Sequence, residues 1–180
     1  VNVPAYVRGI SMSIDFDVIV IGAGAAGMMC AIEAGKRKKK VLILEKTNRP
    51  GKKILMSGGG RCNFTNMYAT PENYISNNPH FCKSALSRYT PWHFIEMVKK
   101  HGIAFHEKKL GQLFCDGKSQ EIVDMLLAEC AHEKVKIYLE QQITNIQKNN
   151  EGFIVTSNGK KIKTHSLVIA TGGLSIPTLG

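Results

Sequence analysis

Continuous apolar runs separated by polar connections dominate the hydrophobic pattern of this chain. The runs at residues 17–21, 41–44 and 166–170 do not alternate apolar and polar positions, and they are rich in valine, isoleucine and leucine. Such runs are typical of parallel strands that are covered on both faces. A further short run at residues 136–139 follows a helical segment and predicts another strand, reached by a crossover connection. The pattern therefore predicts an α/β fold.

Two segments between these runs carry the signals of α-helices. A helix over residues 91–100 is predicted, with Thr90 as its N-cap and Gly102 as its C-terminal cap. A second helix over residues 119–131 has an apolar stripe at helical spacing, and Ser119 is its predicted cap.

Shorter β-type segments with turn residues between them predict antiparallel hairpins. One hairpin is predicted around the turn at residues 108–110. A second group of short strands follows later in the chain, and it contains Asn158-Gly159, a favoured two-residue hairpin turn. The predicted strands of these groups are residues 103–107, 111–115, 143–146, 153–156 and 161–163. The whole pattern predicts a Rossmann-like α/β domain with a central parallel sheet, crossover helices and a small antiparallel β-meander.

A glycine-rich turn joins the first predicted strand to a helix over about residues 24–34. Gly22, Gly24 and Gly27 form the pattern G-x-G-x-x-G. In this pattern the first glycine allows a tight turn, the second lets the backbone approach a pyrophosphate, and the third lets helix and strand pack closely. The helix N-terminus binds phosphate through free N–H groups and its dipole. Gly35 is the predicted C-cap of this helix.

Glu45 stands at the end of the second predicted strand. A carboxylate about 20 residues after the first glycine reaches a ribose hydroxyl of a bound dinucleotide, and it would repel a 2′-phosphate. The spacing therefore supports dinucleotide binding. An NAD-binding dehydrogenase domain shares this fingerprint and is the first alternative.

A second glycine-rich stretch, residues 52–66, is predicted to be a loop that contacts a ligand. Three successive glycines follow Ser57 and precede Arg61. Successive glycines leave the backbone with few steric limits, so that its N–H groups can lie against a phosphate or a flat ring. Arg61 would add a charge suited to a pyrophosphate or an electron-rich carbonyl.

The basic composition is compatible with a nucleic-acid partner, because the 180 residues carry a formal net charge of +10. The densest basic run, residues 36–40, follows a predicted helix C-terminus, where the helix dipole favours cations, and it contains no aromatic residue. The run is therefore expected to be a solvated loop, and nucleic acid is disfavoured as a partner. A non-catalytic module that binds RNA or DNA is the second alternative.

Several classes of protein are disfavoured by what the chain lacks. No apolar run approaches the length of a membrane helix, so no membrane association is expected. The five cysteines are scattered without a C-x-x-C pair, which indicates a reducing cytoplasm rather than disulfides or a zinc site. The histidines show no metal-ligand spacing, and no metal is predicted. Motifs of serine hydrolases, zinc peptidases and P-loop enzymes do not occur.

The motifs together resemble those of FAD flavoproteins. The glycine turn at residues 22–27, paired with LVIATGG at residues 167–173, resembles the glutathione-reductase-type FAD fold. The strings GKKILMSGGGRCNFTN at residues 51–66 and ATGGLSIPTLG at residues 170–180 are similar to those of bacterial flavoproteins described as aminoacetone oxidase-like or 3-dehydro-bile-acid reductase-like. The resemblance extends from about residue 14 to residue 180, and it favours FAD over NAD.

The resemblance implies the FAD-binding part of a flavin-dependent oxidoreductase that transfers a hydride through FAD. The substrate is an unidentified small molecule, the expected electron partner is NAD(P)H or oxygen, and no catalytic acid or base is identified. The implied cofactor-binding residues are Gly22, Gly24, Ala25, Ala26, Gly27, Glu45, Lys46, Lys53, Ser57, Gly58, Gly59, Arg61, Cys62, Asn63, Ile143, Ala170, Thr171 and Gly172.

The chain also departs from the family that it resembles. Family members are much longer, with a second glycine–acid segment that closes the FAD site and an inserted substrate domain. Both are expected beyond Gly180, so the FAD-binding domain over residues 14–180 is expected to be incomplete. Residues 1–13 show no periodicity and are expected to be an N-terminal extension. Cys115 stands where the family usually has proline.

Overall fold

The computed structural model describes residues 16–173 of the chain. The first of its two compact units contains the described residues up to Lys53 and from Leu126 onward, and the second contains Ile54–Met125. The single domain predicted over residues 14–180 thus contains two compact units within its described part. The predicted extension over residues 1–13 lies outside the described residues.

Strands and helices alternate along much of the described chain, with short 3₁₀ turns at Ser57–Gly60 and Pro71–Asn73. None of the described helices is long and apolar enough to cross a membrane. In chain order the elements are β1 (Phe16–Ile21), α1 (Ala25–Lys36), β2 (Val41–Leu44), α2 (Lys52–Met56), β3 (Asn63–Asn66), α3 (Lys83–Arg88), α4 (Pro91–Lys100), β4 (Phe105–Glu107), β5 (Gln112–Cys115), α5 (Gln120–His132), β6 (Lys136–Tyr138), β7 (Ile143–Asn149), β8 (Gly152–Ser157) and β9 (Lys160–Ile169).

A six-stranded sheet forms the centre of the first unit, in the strand order β6-β2-β1-β9-β8-β7. β1 pairs in parallel with β2 and β9, and β2 pairs in parallel with β6. β7, β8 and β9 pair antiparallel and form the predicted meander. The Rossmann-like fold class is confirmed. The meander, however, continues the central sheet through β9, so that the sheet is mixed rather than parallel throughout.

β9 is one strand of 10 residues, whereas the sequence predicts separate strands at residues 161–163 and 166–170. Thr164 is in register with Phe153 of β8 on one side and with Phe16 of β1 on the other. It is buried, and its hydroxyl donates to a backbone carbonyl two residues on at 2.9 Å. Because its hydroxyl is hydrogen-bonded, this threonine can be buried, so it interrupts the apolar pattern of the sequence without interrupting the strand.

Apolar side chains of β1, β2 and α1 form the core of the first unit. Ile19, Leu42 and Ile43 are completely buried in the sheet, and Met28 and Ile32 are completely buried in the helix. Complete burial of a side chain of this kind stabilises the fold by about 1.5–3 kcal/mol. The turn between β1 and α1 is therefore held by a well-packed element on each side.

Helix α1 does not end at the predicted glycine. Gly35 lies inside the helix, and a Cβ atom at this position would lie 2.6 Å from Cβ of Glu133. The left-handed residue is Lys38, with φ 59°, and the N–H groups of Lys38 and Lys39 donate to carbonyl oxygens of the last helical turn at 2.7 and 3.2 Å. This is a Schellman cap. The prediction was wrong because Gly35 serves a tertiary contact instead.

A three-stranded antiparallel sheet, in the order β3-β5-β4, lies in the second unit with α3 and α4. The predicted hairpin of β4 and β5 is confirmed. Residues 52–66, predicted as one loop, instead form α2, a 3₁₀ turn and β3. The prediction was wrong because β3 pairs with β5, which satisfies backbone groups that a loop would leave to water.

Three residues predicted as helix caps, Thr90, Gly102 and Ser119, lie at the ends of α4 and α5. α4 spans the predicted residues: the N–H group of Thr90 donates to Nδ1 of His93 at 2.9 Å, and Gly102 has φ 68° after the last turn. Ser119, the predicted cap of α5, is buried, and its hydroxyl donates to the carbonyl oxygen of Leu55 at 2.9 Å. α5 begins at Gln120, directly after Ser119, so Ser119 stands at the predicted cap position and also makes a tertiary contact.

Candidate functional site

The turn between β1 and α1 begins at a residue that only glycine can occupy without strain. Gly22 has φ 104°, and its N–H group donates to the carbonyl oxygen of Leu44 in β2 at 2.8 Å. A Cβ atom on Gly22 would lie 2.5 Å from the carbonyl oxygen of Ala170, just after β9. The N–H group of Ala170 in turn donates to the carbonyl oxygen of Ile21 at 2.8 Å. The turn is therefore held at the carboxyl ends of β1, β2 and β9.

The other two glycines of the motif have different surroundings. A Cβ atom on Gly27 would lie 1.9 Å from the carbonyl oxygen of Gly22, so the absence of a side chain lets α1 pack on the turn. Around the Cβ position of Gly24, by contrast, there is nothing within 4 Å. Gly24 is thus not required by packing within the protein, and it leaves open space for a ligand beside the backbone.

The N-terminal turn of α1 faces this open space with unpaired backbone donors. The first hydrogen bond of the helix runs from the N–H group of Met28 to the carbonyl oxygen of Gly24 at 3.0 Å, so the preceding N–H groups have no acceptor within the helix. Ala25 and Ala26 are exposed, and the first turn carries no acidic residue. Free N–H groups and the positive end of the dipole suit a phosphate group.

Glu45 follows β2, and its carboxylate is fixed by backbone and side-chain donors. One oxygen, Oε2, accepts from the N–H group of Ala23 in the glycine turn at 2.7 Å. The other, Oε1, accepts from the N–H group and the hydroxyl of Thr47 at 2.8 and 2.7 Å. The N–H group of Gln141 donates to the Glu45 carbonyl oxygen at 2.9 Å. Lys46, the next residue, is exposed.

Thr47 and Gln141 are site residues that the sequence did not indicate. Thr47 lies only two residues after Glu45, so a short side-chain turn was a signal available in the sequence. Gln141 lies far along the chain, and only the pairing of β6 with β2 brings it to this place. Both support Glu45, the residue predicted to bind a ribose.

Lys53 makes a contact with the segment that follows β9. Its ammonium group donates to the carbonyl oxygen of Gly173. It also lies 3.3 Å from the position that a Cβ atom on Gly172 would take, and Gly172 has φ 85°. Thr171 and Gly172 are exposed. The structure thus brings Lys53 together with the end of β9, as a pair of predicted site residues from distant parts of the chain.

The second predicted glycine stretch lies in the second unit and has a compact local structure. Gly58 and Gly59 have φ 58° and 65°. A Cβ atom on Gly58 would lie 2.7 Å from the backbone nitrogen of Asn63 and 2.9 Å from the ring of Phe114, whereas the Cβ position of Gly59 is open. Gly58 therefore has a structural role, and Gly59 and the exposed Arg61 are the residues free to meet a ligand.

The polar residues around these glycines mainly support the turn. The hydroxyl of Ser57 donates to the carbonyl oxygen of Ile54 at 2.7 Å. With its amide nitrogen turned inward, Asn63 donates to the carbonyl oxygens of Thr65 and Leu113 at 3.1 and 3.2 Å. Cys62 is buried, and burial raises the pKa of its thiol. A neutral buried thiol is a poor nucleophile, so Cys62 is not a candidate for covalent catalysis.

Ile143 occupies the first position of β7, and it packs against the apolar cluster that includes Tyr138 and Val155. Its side chain is thus part of the core of the first unit. The contact of its backbone with an adenine stays a prediction.

Comparison with known proteins places these features in a family. The family model for the HI0933-like protein Rossmann domain matches residues 16–180. A ribosomal RNA dihydrouridine synthase of Escherichia coli (strain K12) is 56% identical over 165 residues, which are 92% of this chain and 41% of that protein. A 3-dehydro-bile acid delta(4,6)-reductase of Clostridium scindens is 29% identical over 164 residues, which are 89% of this chain and 40% of that protein.

The comparison with solved structures concerns the fold. The crystal structure of 3-ketosteroid-delta4-(5alpha)-dehydrogenase from Rhodococcus jostii RHA1 aligns with a TM-score of 0.65 over 91% of this chain and 47% of that chain, at 17% identity. The family match and the fold together support FAD as the cofactor, as the motifs predicted. The predicted resemblance to 3-dehydro-bile-acid reductases is confirmed by the Clostridium scindens relative. The Escherichia coli relative, which has the higher identity, is a ribosomal RNA dihydrouridine synthase.

Proposed function

The chain belongs to the HI0933-like Rossmann domain family, and on that premise we propose that it is the FAD-binding part of a reductase that acts on a uridine of ribosomal RNA. The observation that carries the proposal is the 56% identity with the Escherichia coli ribosomal RNA dihydrouridine synthase over 92% of this chain. The chain spans 41% of that relative's length.

The reaction class follows from the product for which this relative is named. Dihydrouridine differs from uridine by two hydrogen atoms across the C5–C6 bond of the base, so its formation is a reduction. The base must receive a hydride at one carbon and a proton at the other, and reduced FAD supplies the hydride. A net reduction consumes an electron donor, and NAD(P)H rather than oxygen is therefore the electron partner in this proposal.

The residues of the first unit bind and orient the cofactor in this proposal. The open space at Gly24 and the free N–H groups that begin α1 receive the pyrophosphate. The carboxylate of Glu45, held by Ala23 and Thr47, accepts a hydrogen bond from the adenosine ribose. Lys53 holds the segment after β9 next to α2, which fixes one wall of the site. A Cβ atom at Gly24 would fill the space that the pyrophosphate needs.

The test uses the full-length protein with its flavin reduced by NADPH or NADH in the absence of oxygen. An unmodified transcript of the ribosomal RNA is then added, and the visible absorbance of the flavin is followed. We expect the absorbance of oxidised flavin to return. We also expect nucleoside mass spectrometry to detect a uridine that has gained two hydrogens. A transcript incubated with oxidised protein and no electron donor is the control.

A steroid substrate provides the competing outcome. The Clostridium scindens relative is named for a 3-dehydro-bile acid, so a 3-oxo-4-ene steroid is added to the same reduced protein. Rapid oxidation of the flavin by the steroid, with no reaction of the transcript, would reject ribosomal RNA and assign the protein to the steroid reductases.

A further inference from the structure

A tyrosine, a leucine and two lysines are exposed at or next to the turn between β4 and β5 in the second unit. Tyr68 is 66% exposed although it is a large aromatic residue, and Leu110 in the turn between β4 and β5 is 79% exposed. Lys108 and Lys109 precede Leu110 in the same turn, and both are exposed. We call Tyr68 with residues 108–111 the Tyr68 platform.

The ring of Tyr68 rests on a glycine. Gly111 has φ 78°, and a Cβ atom at this position would lie 2.6 Å from Cδ2 of Tyr68. No other residue type would allow the ring to lie so close to the backbone there. One side of the ring therefore rests on the hairpin, while most of the side chain stays in contact with water.

Hydrogen bonds hold the tyrosine segment on the hairpin turn. The N–H group of Met67 donates to the carbonyl oxygen of Gly111 at 2.9 Å, and that of Tyr68 donates to Oδ1 of Asn66 at 2.8 Å. The side-chain nitrogen of Asn66 donates to the carbonyl oxygen of Leu110 at 3.0 Å. An exposed ring fixed by these contacts loses little conformational entropy when a flat partner stacks on it.

The hairpin turn below the Tyr68 ring carries two lysines and one glutamate. The ammonium group of Lys108 lies 5.1 Å from the ring centroid of Phe114. Lys109, the next residue in the turn, is exposed. The carboxylate of Glu107 accepts from the N–H group of Gly111 at 2.8 Å, so that it is engaged in holding the turn. Lys108 and Lys109 thus belong to the hairpin turn that leads to Gly111, the residue on which the Tyr68 ring rests, in a chain whose formal net charge is +10.

We infer that the Tyr68 platform binds an unpaired base of the RNA substrate, which stacks on Tyr68 while Lys108 and Lys109 contact its phosphates. This inference rests on the proposed function, which makes RNA the substrate. Proteins recognise single-stranded RNA by stacking splayed bases on aromatic side chains and by neutralising phosphates with lysine or arginine. The platform combines these two features, whereas the basic run at residues 36–40 contains no aromatic residue.

The experiment measures binding of a uridine-containing single-stranded RNA oligonucleotide to the FAD-loaded full-length protein by fluorescence anisotropy. Tyr68→Ala removes the stacking surface and is expected to weaken binding about 5- to 150-fold. Tyr68→Phe keeps the ring and is expected to bind as the wild type does. The control is Trp92→Ala, because Trp92 is a 54% exposed aromatic residue of the same unit outside the platform.

The lysines are tested by the salt dependence of the same binding. Changing both Lys108 and Lys109 to glutamine is expected to reduce the slope of log K against log salt by about 1.4 for single-stranded RNA. Two results would contradict RNA binding by the Tyr68 platform and leave the proposed function standing. In the first, the Tyr68→Ala protein binds the RNA as tightly as the wild type does. In the second, Trp92→Ala weakens RNA binding as much as Tyr68→Ala does. A wild-type protein that does not bind the oligonucleotide would overturn the proposed function and this inference with it.

Discussion

The carboxylate of Glu45 makes three hydrogen bonds within the protein, one with Ala23 and two with Thr47. Two carboxylate oxygens offer about four lone-pair sites, so one acceptor position is left for a ribose hydroxyl. The same three bonds orient the carboxylate before any ligand arrives. At the scale of single residues, Glu45 thus supports the glycine turn and forms part of the predicted binding site.

Substitution of Glu45 by glutamine is expected to weaken FAD binding about 10- to 100-fold, because hydrogen bonds to a charged group contribute about 1.5–3 kcal/mol each and an amide accepts fewer of them. FAD affinity is measured by quenching of flavin fluorescence. Glu33→Gln is the matched control, since Glu33 lies in the same unit on α1 and pairs with Lys36 and Arg37. Equal losses in the two variants would contradict a specific role of Glu45.

The buried thiols give a prediction about pH. Burial raises the pKa of Cys115 to about 12, with further contributions from Cys62 and two nearby carboxylates, and burial also raises the pKa of Cys130 to about 12. The folded state therefore keeps these protons above pH 9, where the unfolded chain releases them. We expect the free energy of unfolding to fall as pH rises from about 9 towards 12.

Urea unfolding at a series of pH values from about 8 to 11 measures this fall, and thiol labelling at pH 8 tests the burial that causes it. Cys115 and Cys130 are expected to resist a thiol reagent in the native protein and to react when urea unfolds it. Rapid labelling of Cys115 without urea would contradict the burial on which the pKa depends.

At the scale of elements, the caps of α1 and α4 use different residues for the same left-handed conformation. Gly102 follows α4 with φ 68°, and Lys38 follows α1 with φ 59°. A residue with a Cβ atom is strained in this region, whereas glycine is not. The cap of α1 is therefore less favourable than it could be.

Replacing Lys38 with glycine is expected to stabilise the protein by about 0.5–1 kcal/mol, because it removes this strain at the cap. The midpoint of urea unfolding measures the change. Lys39→Gly is the control, since Lys39 neighbours Lys38 and is not among the residues with positive φ. A Lys38→Gly protein no more stable than the wild type would show that this cap is not under strain.

Elements with strong local signals could be predicted from the sequence, and those set by tertiary contacts could not. The apolar run of β2 and the Thr90 cap of α4 are local patterns, and both were predicted with the correct position. β3 has no such pattern, since it forms where residues 63–66 pair with β5. Gly35 has a typical capping residue type, yet it serves a contact with a distant segment, and the hydroxyl of Ser119 makes a distant contact that its local pattern does not show.

In the candidate site, too, features with a local sequence signal could be predicted and those set by tertiary contacts could not. The turn and packing roles predicted for Gly22 and Gly27 agree with their surroundings, because the spacing of a strand–turn–helix unit determines them locally, whereas the pyrophosphate contact of Gly24 stays a prediction. The contact of Lys53 with the end of β9 joins residues 120 positions apart and depends on the completed sheet. Sequence patterns of one segment cannot show such a contact.

At the scale of the whole molecule, the predicted FAD contacts are distributed over both compact units. The glycine turn, Glu45 and the end of β9 belong to the first unit, and residues 57–63 belong to the second. This chain also spans 41% of the length of its Escherichia coli relative. We therefore expect tight binding of FAD to require the full-length protein, with the glycine turn as the anchor for the pyrophosphate.

The visible absorption spectrum of the purified full-length protein, compared with its Gly24→Ala variant, tests this account most directly. The Cβ position of Gly24 is open, so the variant is expected to lose only the modest stability that alanine costs at a helix N-cap, while its bound flavin falls strongly. Gly27→Ala serves as the contrast, because its Cβ atom would meet the carbonyl oxygen of Gly22 and lower the stability itself. A Gly24→Ala protein that is stably folded and retains the full flavin spectrum would contradict a pyrophosphate site at this turn.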